Sequence, residues 1–243
     1  MRIVARIAIL LALASAALLA LAPLGWRVGL WPYATSFVLL RWAAYGAIAG
    51  ALAALVALAR WRRLPPLLRG GAIAALLGSA IVFYMPWHYT LAAGASIHDI
   101  TTDTANPPAF EAVLPARTAA HAATADYPGS GPATAEIQQR AYPDIAPLVL
   151  KAPPQQAFAL ALATAQAMPR WTIDASDPAR GRIEASARTL WMGFTDDVVI
   201  RITADGEGSR VDMRSLSRVG RGDFGANAAR IRAYLAALRA RAG

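Results

Sequence analysis

Three stretches decide the fold: Arg182-Ile183-Glu184-Ala185-Ser186-Ala187-Arg188, Val198-Val199-Ile200-Arg201-Ile202-Thr203, and Arg210-Val211-Asp212-Met213-Arg214-Ser215. In each, apolar or small side chains alternate with polar ones, the period-2 signature of a strand that buries one face. Asp205–Ser209, with two glycines, supplies the hairpin loop between the second and third. Upstream, Trp171–Asp174 reads as a short strand, and Asp177-Pro178 with Gly181 turns the chain into the first run. Further upstream, Phe158, Leu162, Ala165 and Met168 recur at helical steps, so Gln155–Met168 is an amphipathic helix ended by Pro169. Downstream, Gly220-Arg221-Gly222 breaks the last strand and Asp223 is placed to cap a final helix. Phe224, Ala228, Ile231, Leu235 and Leu238 give that helix its apolar stripe. The order helix, four strands, helix predicts an α+β domain over residues 155–243: a four-stranded antiparallel sheet with both helices on one face.

The amino-terminal part has a different character. The chain of 243 residues is 56% apolar and only 16% charged, against roughly 25% charged for an average soluble domain. Apolar stretches from Ile7 to Leu24, about Phe37 to Leu58 and about Gly70 to Trp87 each approach the ~20 residues needed to cross a bilayer. Residues 1–89 are therefore expected to form a three-helix membrane anchor. Ala47, Gly50, Ala51 and Ala54 on the second span, with Gly71, Ala75 and Gly78 on the third, are small enough for close helix approach. The net charge of +9 is uneven: residues 1–89 hold eight Arg and no acid, and residues 90–243 hold sixteen bases and fifteen acids. Basicity thus belongs to the apolar part, which speaks against a nucleic-acid partner. Arg2, Arg6, Arg60, Arg62, Arg63 and Arg69 outweigh Arg27 and Arg41 of the first loop. The positive-inside rule then puts the amino terminus in the cytoplasm and the carboxy-terminal domain in the periplasm of a bacterial inner membrane. An alternative is a first span cleaved as a signal peptide after Ala20-Leu21-Ala22. Cysteine is absent, which excludes disulfides, thiol catalysis and Cys-ligated metals.

Residues 90–154 are rich in Pro, Ala, Thr and Asp and read as an extended, irregular segment that docks on or leads to the core. Ser96-Ile97-His98-Asp99-Ile100-Thr101-Thr102-Asp103 lies there, followed by Asn106-Pro107-Pro108-Ala109-Phe110. With Phe194-Thr195-Asp196-Asp197-Val198-Val199-Ile200-Arg201-Ile202 and the run Gly208–Asn227, it resembles the uncharacterised bacterial, membrane-anchored family known as domain of unknown function fourteen ninety-nine. The resemblance covers about Ile97–Leu238. It implies envelope association and supplies no activity. The order of elements also resembles the helix-grip domains of outer-membrane assembly lipoproteins, at the level of fold alone.

Two clusters are candidates for chemistry. His98, Asp99 and Asp103 combine imidazole with carboxylates, a donor set that suits a divalent metal or an acid–base site, and as an enzyme they would act with Arg218 on an envelope substrate. No partner histidine stands at zinc spacing, and no cofactor or metal is expected. Arg188, Arg201, Arg214, Arg218, Arg221 and Asn227 form the second set, on the polar strand face and the corner leading into the last helix. Guanidinium groups of this kind suit an anionic ligand. Asp196 and Asp197, adjacent on a strand, are expected on opposite faces, paired with Arg188 or Arg218. The reading favoured is a membrane-tethered periplasmic binding or interaction module, leaning away from an enzyme. Its partners are the lipid bilayer and an anionic envelope component or protein. The alternatives are an envelope enzyme and a scaffold subunit of an inner-membrane complex.

Overall fold

The computed structural model describes residues 1–91, 95–128 and 133–243, with 87–91 as helix backbone only. It contains two units, Met1–Leu91 and Ala92–Gly243.

The first unit is three helices, α1 (Arg2–Arg27), α2 (Tyr33–Leu58) and α3 (Pro66–Leu91). Each is long and apolar enough to cross a membrane. Their contacts are made by small residues: Ala8 and Ala12 meet Ala54 and Ala75, and Ala43 and Ala47 meet Val82. A side chain on Gly50 would come within 3.1 Å of Ser79 Oγ and 3.3 Å of Leu11 Cβ. Association without a hydrophobic driving force depends on this kind of close approach. Leu10, Leu13, Ile48, Leu52, Leu77 and Ile81 point outward, as expected of helices solvated by acyl chains.

The second unit is built on one antiparallel sheet of six strands, which corrects the expected four. β3 (Trp171–Asp177), β4 (Arg182–Arg188), β5 (Thr195–Asp205) and β6 (Gly208–Ser217) are the four read from alternation. β1 (Asp99–Thr101) and β2 (Leu148–Leu150) add to the outer side of β6, where Ile100 faces Ser215 and Val149 faces Arg210. Three residues are too few to display a period of two, and both strands lie in the Pro-rich stretch expected to be irregular. That stretch also holds the short helices α4 (Leu114–Ala119) and α5 (Thr134–Ala141). Gln138 of α5 completes the edge of β1: its Oε1 accepts from the Thr101 N–H at 3.0 Å and its Nε2 donates to the Thr101 carbonyl at 2.6 Å. The amide side chain stands in for a missing strand.

Register sorts the sheet into two faces. Ile183, Ala185, Val198, Ile200, Ile202, Val211 and Met213 share one face with α6 (Pro154–Ala167) and α7 (Ala226–Ala242). Phe158, Ala161, Ile231, Tyr234 and Leu238 fill the space between. Trp171 stacks on Tyr234 at 5.5 Å, and the buried Tyr234 hydroxyl donates to the Ala161 carbonyl. The opposite face carries Glu184, Asp197, Val199, Asp212, Arg214 and Leu216. It is not open. The chain from Asp103 to Asp126, including α4, lies across it, with Phe110 and Val113 packed on Val199 and Leu216.

Candidate functional site

The polar face is where the sequence places most of its chemistry, and burial decides what those groups do. A strap crossing a sheet must satisfy its own peptide groups once water is removed. The sheet provides the partners. Glu184 accepts the N–H of Glu111 at 2.9 Å and of Val113 at 3.0 Å, one on each oxygen. Arg182, Arg201 and Arg214 donate to the carbonyls of Ala109, Asn106 and Pro108. Strap and sheet are matched donor to acceptor along the crossing.

Below these contacts lie ion pairs. Arg214 grips Asp99 with two parallel bonds of 2.8 and 2.9 Å, and the two side chains are 2% and 0% exposed. Arg214 also donates to the Ala125 carbonyl, and its guanidinium lies 5.0 Å from the Phe110 ring and 5.3 Å from that of Tyr127. Asp197 is held from two directions, by Arg117 of α4 at 2.7 Å and by Arg218 at 2.6 Å. That bond holds the Arg218 guanidinium above its ordinary value, against the effect of burial. Asp212 pairs with Arg201 and Arg210, each at 3.0 Å. Asp103 pairs with Arg210 at 2.9 Å, and its other oxygen accepts the N–H groups of Ala105 and Asn106 to turn the strap. Burial raises the Tyr127 hydroxyl above its ordinary range, and the Asp99 charge adds to that. Buried bidentate pairs of this kind need the geometry seen here, since desolvating each ion costs several kcal/mol.

The corner into α7 is a second network, on the helix-covered side. Asp196 pairs with Arg230 at 2.5 Å. Asn227, fully buried, donates to the His98 carbonyl and to Ser217 Oγ, and accepts from Ser215 Oγ. The helix begins at Ala226, after Gly225 with φ 78°. Asp223 closes the turn from two residues before that cap, accepting the N–H of Gly225 at 2.8 Å and of Asn227 at 2.7 Å. Burial raises its carboxyl above the ordinary value and these two bonds oppose the shift.

The structure therefore distributes the sequence candidates as follows. Asp99 goes to Arg214, Asp103 to Arg201 and Arg210, and Arg218 to Asp197. His98 is buried, and its backbone carbonyl joins the Asn227 network. The proposed convergence of His98, Asp99 and Asp103 on Arg218 does not occur among these contacts. Asp196 and Asp197 do fall on opposite faces, with Arg230 and Arg218 as partners rather than Arg188. Arg188 and Arg221 stand exposed, outside the ion pairs among the described residues. Among the described residues no cluster of His, Asp and Glu is arranged to hold a metal ion. Arg117, Gln138 and Arg230 were missed in the sequence. They lie on helices in Ala-rich surroundings, and nothing in the local pattern announces that their partners sit on distant strands.

A family model described as "Protein of unknown function (DUF1499)" matches residues 99–238. The chain belongs to the DUF1499 family. The matched span opens at Asp99 and closes at Leu238, so in this DUF1499 chain it contains the strap, the sheet and every ion pair described above. No curated protein matches the chain. Among solved structures, that of TTHA0849 from Thermus thermophilus matches 40% of this chain and 94% of its own, at 14% identity and a TM-score of 0.26.

Proposed function

We propose that this DUF1499 protein is a membrane-tethered interaction module rather than an enzyme, anchored in a bacterial inner membrane with its carboxy-terminal unit in the periplasm. The observation that carries the reading is the state of the carboxylates. Asp99, Asp103, Glu184, Asp196, Asp197 and Asp212 are each paired with a guanidinium of the same unit. An acid–base catalyst needs a group free to gain and lose a proton beside its substrate. Five of these groups hold the strap instead, and Asp196 holds the corner into α7. The helix-covered sheet supports a helix-grip-like domain by analogy of fold alone.

The surplus of Arg at the amino terminus and in the loop 60–69 supports the cytoplasmic placement of both. With Arg201, Arg214, Arg218 and Asn227 committed inside the unit, the anionic envelope component falls to the exposed Arg188 and Arg221. Topology is tested by fusing alkaline phosphatase or a cytosol-dependent fluorescent protein after Gly243. An active phosphatase with a dark fluorescent fusion is expected, and the reverse pattern removes the periplasmic assignment. Binding is tested with the full chain in mild detergent against isolated peptidoglycan and anionic-lipid vesicles. The double variant Arg188→Ala, Arg221→Ala should retain less of one of these, and equal retention by both proteins removes the ligand assignment. Co-purification in a fixed stoichiometry with unaltered binding would favour a scaffold.

A further inference from the structure

One end of the sheet has features that the strap network does not use. β5 begins and β6 ends there, with Asp196 opposite Ser217, so the loop 189–194 and the loop 218–225 are neighbours. The Arg218 N–H donates to the Thr195 carbonyl at 3.1 Å and ties them together. The first loop is tightly closed. The Thr189 N–H donates to the Phe194 carbonyl at 2.8 Å, and the Phe194 N–H donates to Thr189 Oγ1 at 2.9 Å. Met192 is turned inward and Leu190 outward, 68% exposed. In the second loop Phe224 is 48% exposed and has φ 54°. That is a left-handed conformation which a bulky residue adopts only when its surroundings impose it.

Exposed charge on the two loops and their flanks is basic, and the exposed acid nearest them, Asp174 on β3, faces Arg218. Arg188 and Arg221 are exposed. The acids within the two loops and at the strand ends between them are occupied: Asp196 by Arg230, Asp197 by Arg117 and Arg218, and Asp223 by the N–H groups of Gly225 and Asn227. The chain also enters the unit here. Ser96 lies 3.4 Å from where a side chain on Gly222 would begin, and Asp99 pairs with Leu216. In the sequence, Ala95 follows Leu91, the end of α3, by four residues.

We infer that this sheet end docks on the anionic lipid surface of the membrane that α3 leaves. Leu190 and Phe224 insert among the headgroups, and Arg188 and Arg221 bind lipid phosphates. The inference rests on the proposed anchoring by α1–α3 and identifies the anionic component of that proposal as lipid.

The chain has no cysteine, so a single one placed by Leu190→Cys, Phe224→Cys or Val149→Cys takes an environment-sensitive fluorophore cleanly. Val149 serves as the control: it is 63% exposed, and its strand pairs with the far end of β6. The full chain is reconstituted in nanodiscs of phosphatidylcholine, with or without about one-third phosphatidylglycerol, carrying doxyl-labelled lipid as quencher. With phosphatidylglycerol present, quenching at 190 and 224 should exceed that at 149 roughly twofold or more. It should fall when the anionic lipid is omitted or when Arg188→Ala and Arg221→Ala are introduced. Equal quenching at all three positions overturns the docking, as does quenching indifferent to the two arginines. A fluorophore shielded in proportion to protein density, without doxyl quenching, would assign the surface to a second copy and also overturns it. Failure of the anchor itself is distinguishable, because the protein would then elute apart from the discs.

Discussion

Both faces of the sheet have buried centres, made by opposite chemistry. On the helix side, Ile183, Val198, Ile200, Val211 and Met213 meet Phe158, Ile231 and Leu238, and area removed from water does the holding. On the strap side, the side chains of Asp99, Glu184, Asp197, Asp212 and Arg214 are each at most 2% exposed. There, stability depends on every charge and peptide group having a partner. An apolar face loses stability in proportion to the atoms removed. A face of ion pairs loses it in steps, since deleting one partner leaves the other charged, buried and alone.

The largest effect expected is therefore Asp99→Leu. It strands Arg214, a side chain 2% exposed, and should cost about 3–5 kcal/mol. Adding Arg214→Met removes the orphaned charge, so the double variant should be more stable than Asp99→Leu alone. Hydrogen exchange of the β5 and β6 amides in the detergent-solubilised full chain reads both. A double variant that loses the sum of the two single losses would show that the pair does not act as a unit. On the other face, Ile200→Val deletes one methylene from a fully buried residue packed under the helices and should cost about 1 kcal/mol. A loss from Ile200→Val equal to that from Asp99→Leu would erase the distinction between the faces.

This distinction also sets what could be read in the sequence. The alternation in β4, β5 and β6 survives as a pattern because pleating sends successive side chains to opposite sides. It gave the strands, the helix-covered face and the opposed directions of Asp196 and Asp197. Pattern reports polarity, however, and polarity is not exposure. Glu184, Asp212 and Arg214 look like a solvated face, and only the strap makes them interior. Arg117 is eighty residues from Asp197, and Asp99 is 115 from Arg214, so no local period connects them. The strands β1 and β2 were hidden for another reason. Three residues each, they are strands by virtue of lying against β6 and carry little preference of their own. In the membrane unit the reverse holds: the length and apolarity of each helix state its environment without any distant partner.

A smaller effect separates the strap face from the α7 corner. Burial raises the Asp223 carboxyl above its unfolded value, so the folded chain keeps a proton that the unfolded chain releases. Such a group makes stability fall as pH rises from near the unfolded value through the raised one. In Asp223→Asn that dependence is absent, while a side-chain carbonyl still accepts one of the two N–H groups. The stability deficit of the variant should therefore be larger at pH 4 than at pH 7, measured as the difference in urea midpoint from the wild type. Burial of Asp174 raises its carboxyl too, and taking the difference cancels its share. A deficit that grows toward pH 7 would mean that the bonds from Gly225 and Asn227 outweigh burial.

The smallest effect comes from the same pair of residue types in water. Arg232 of α7 meets Asp144 at 2.5 Å, with side chains 44% and 54% exposed, and lies over the Tyr142 ring. The contact is as short as any ion pair in the strap network and lowers the Asp144 carboxyl below its ordinary value. Yet solvent screens the attraction, and both ions stay hydrated when separated. Asp144→Ala should cost about 0.5 kcal/mol or less, and raising the salt should shrink that further. Asp99→Leu, deep under the strap, should respond little to salt. If the hydrogen-exchange losses of the two variants shrink in parallel as salt rises, the strap is admitting water, and its ion pairs are held by solvent-screened attraction like the one on the rim.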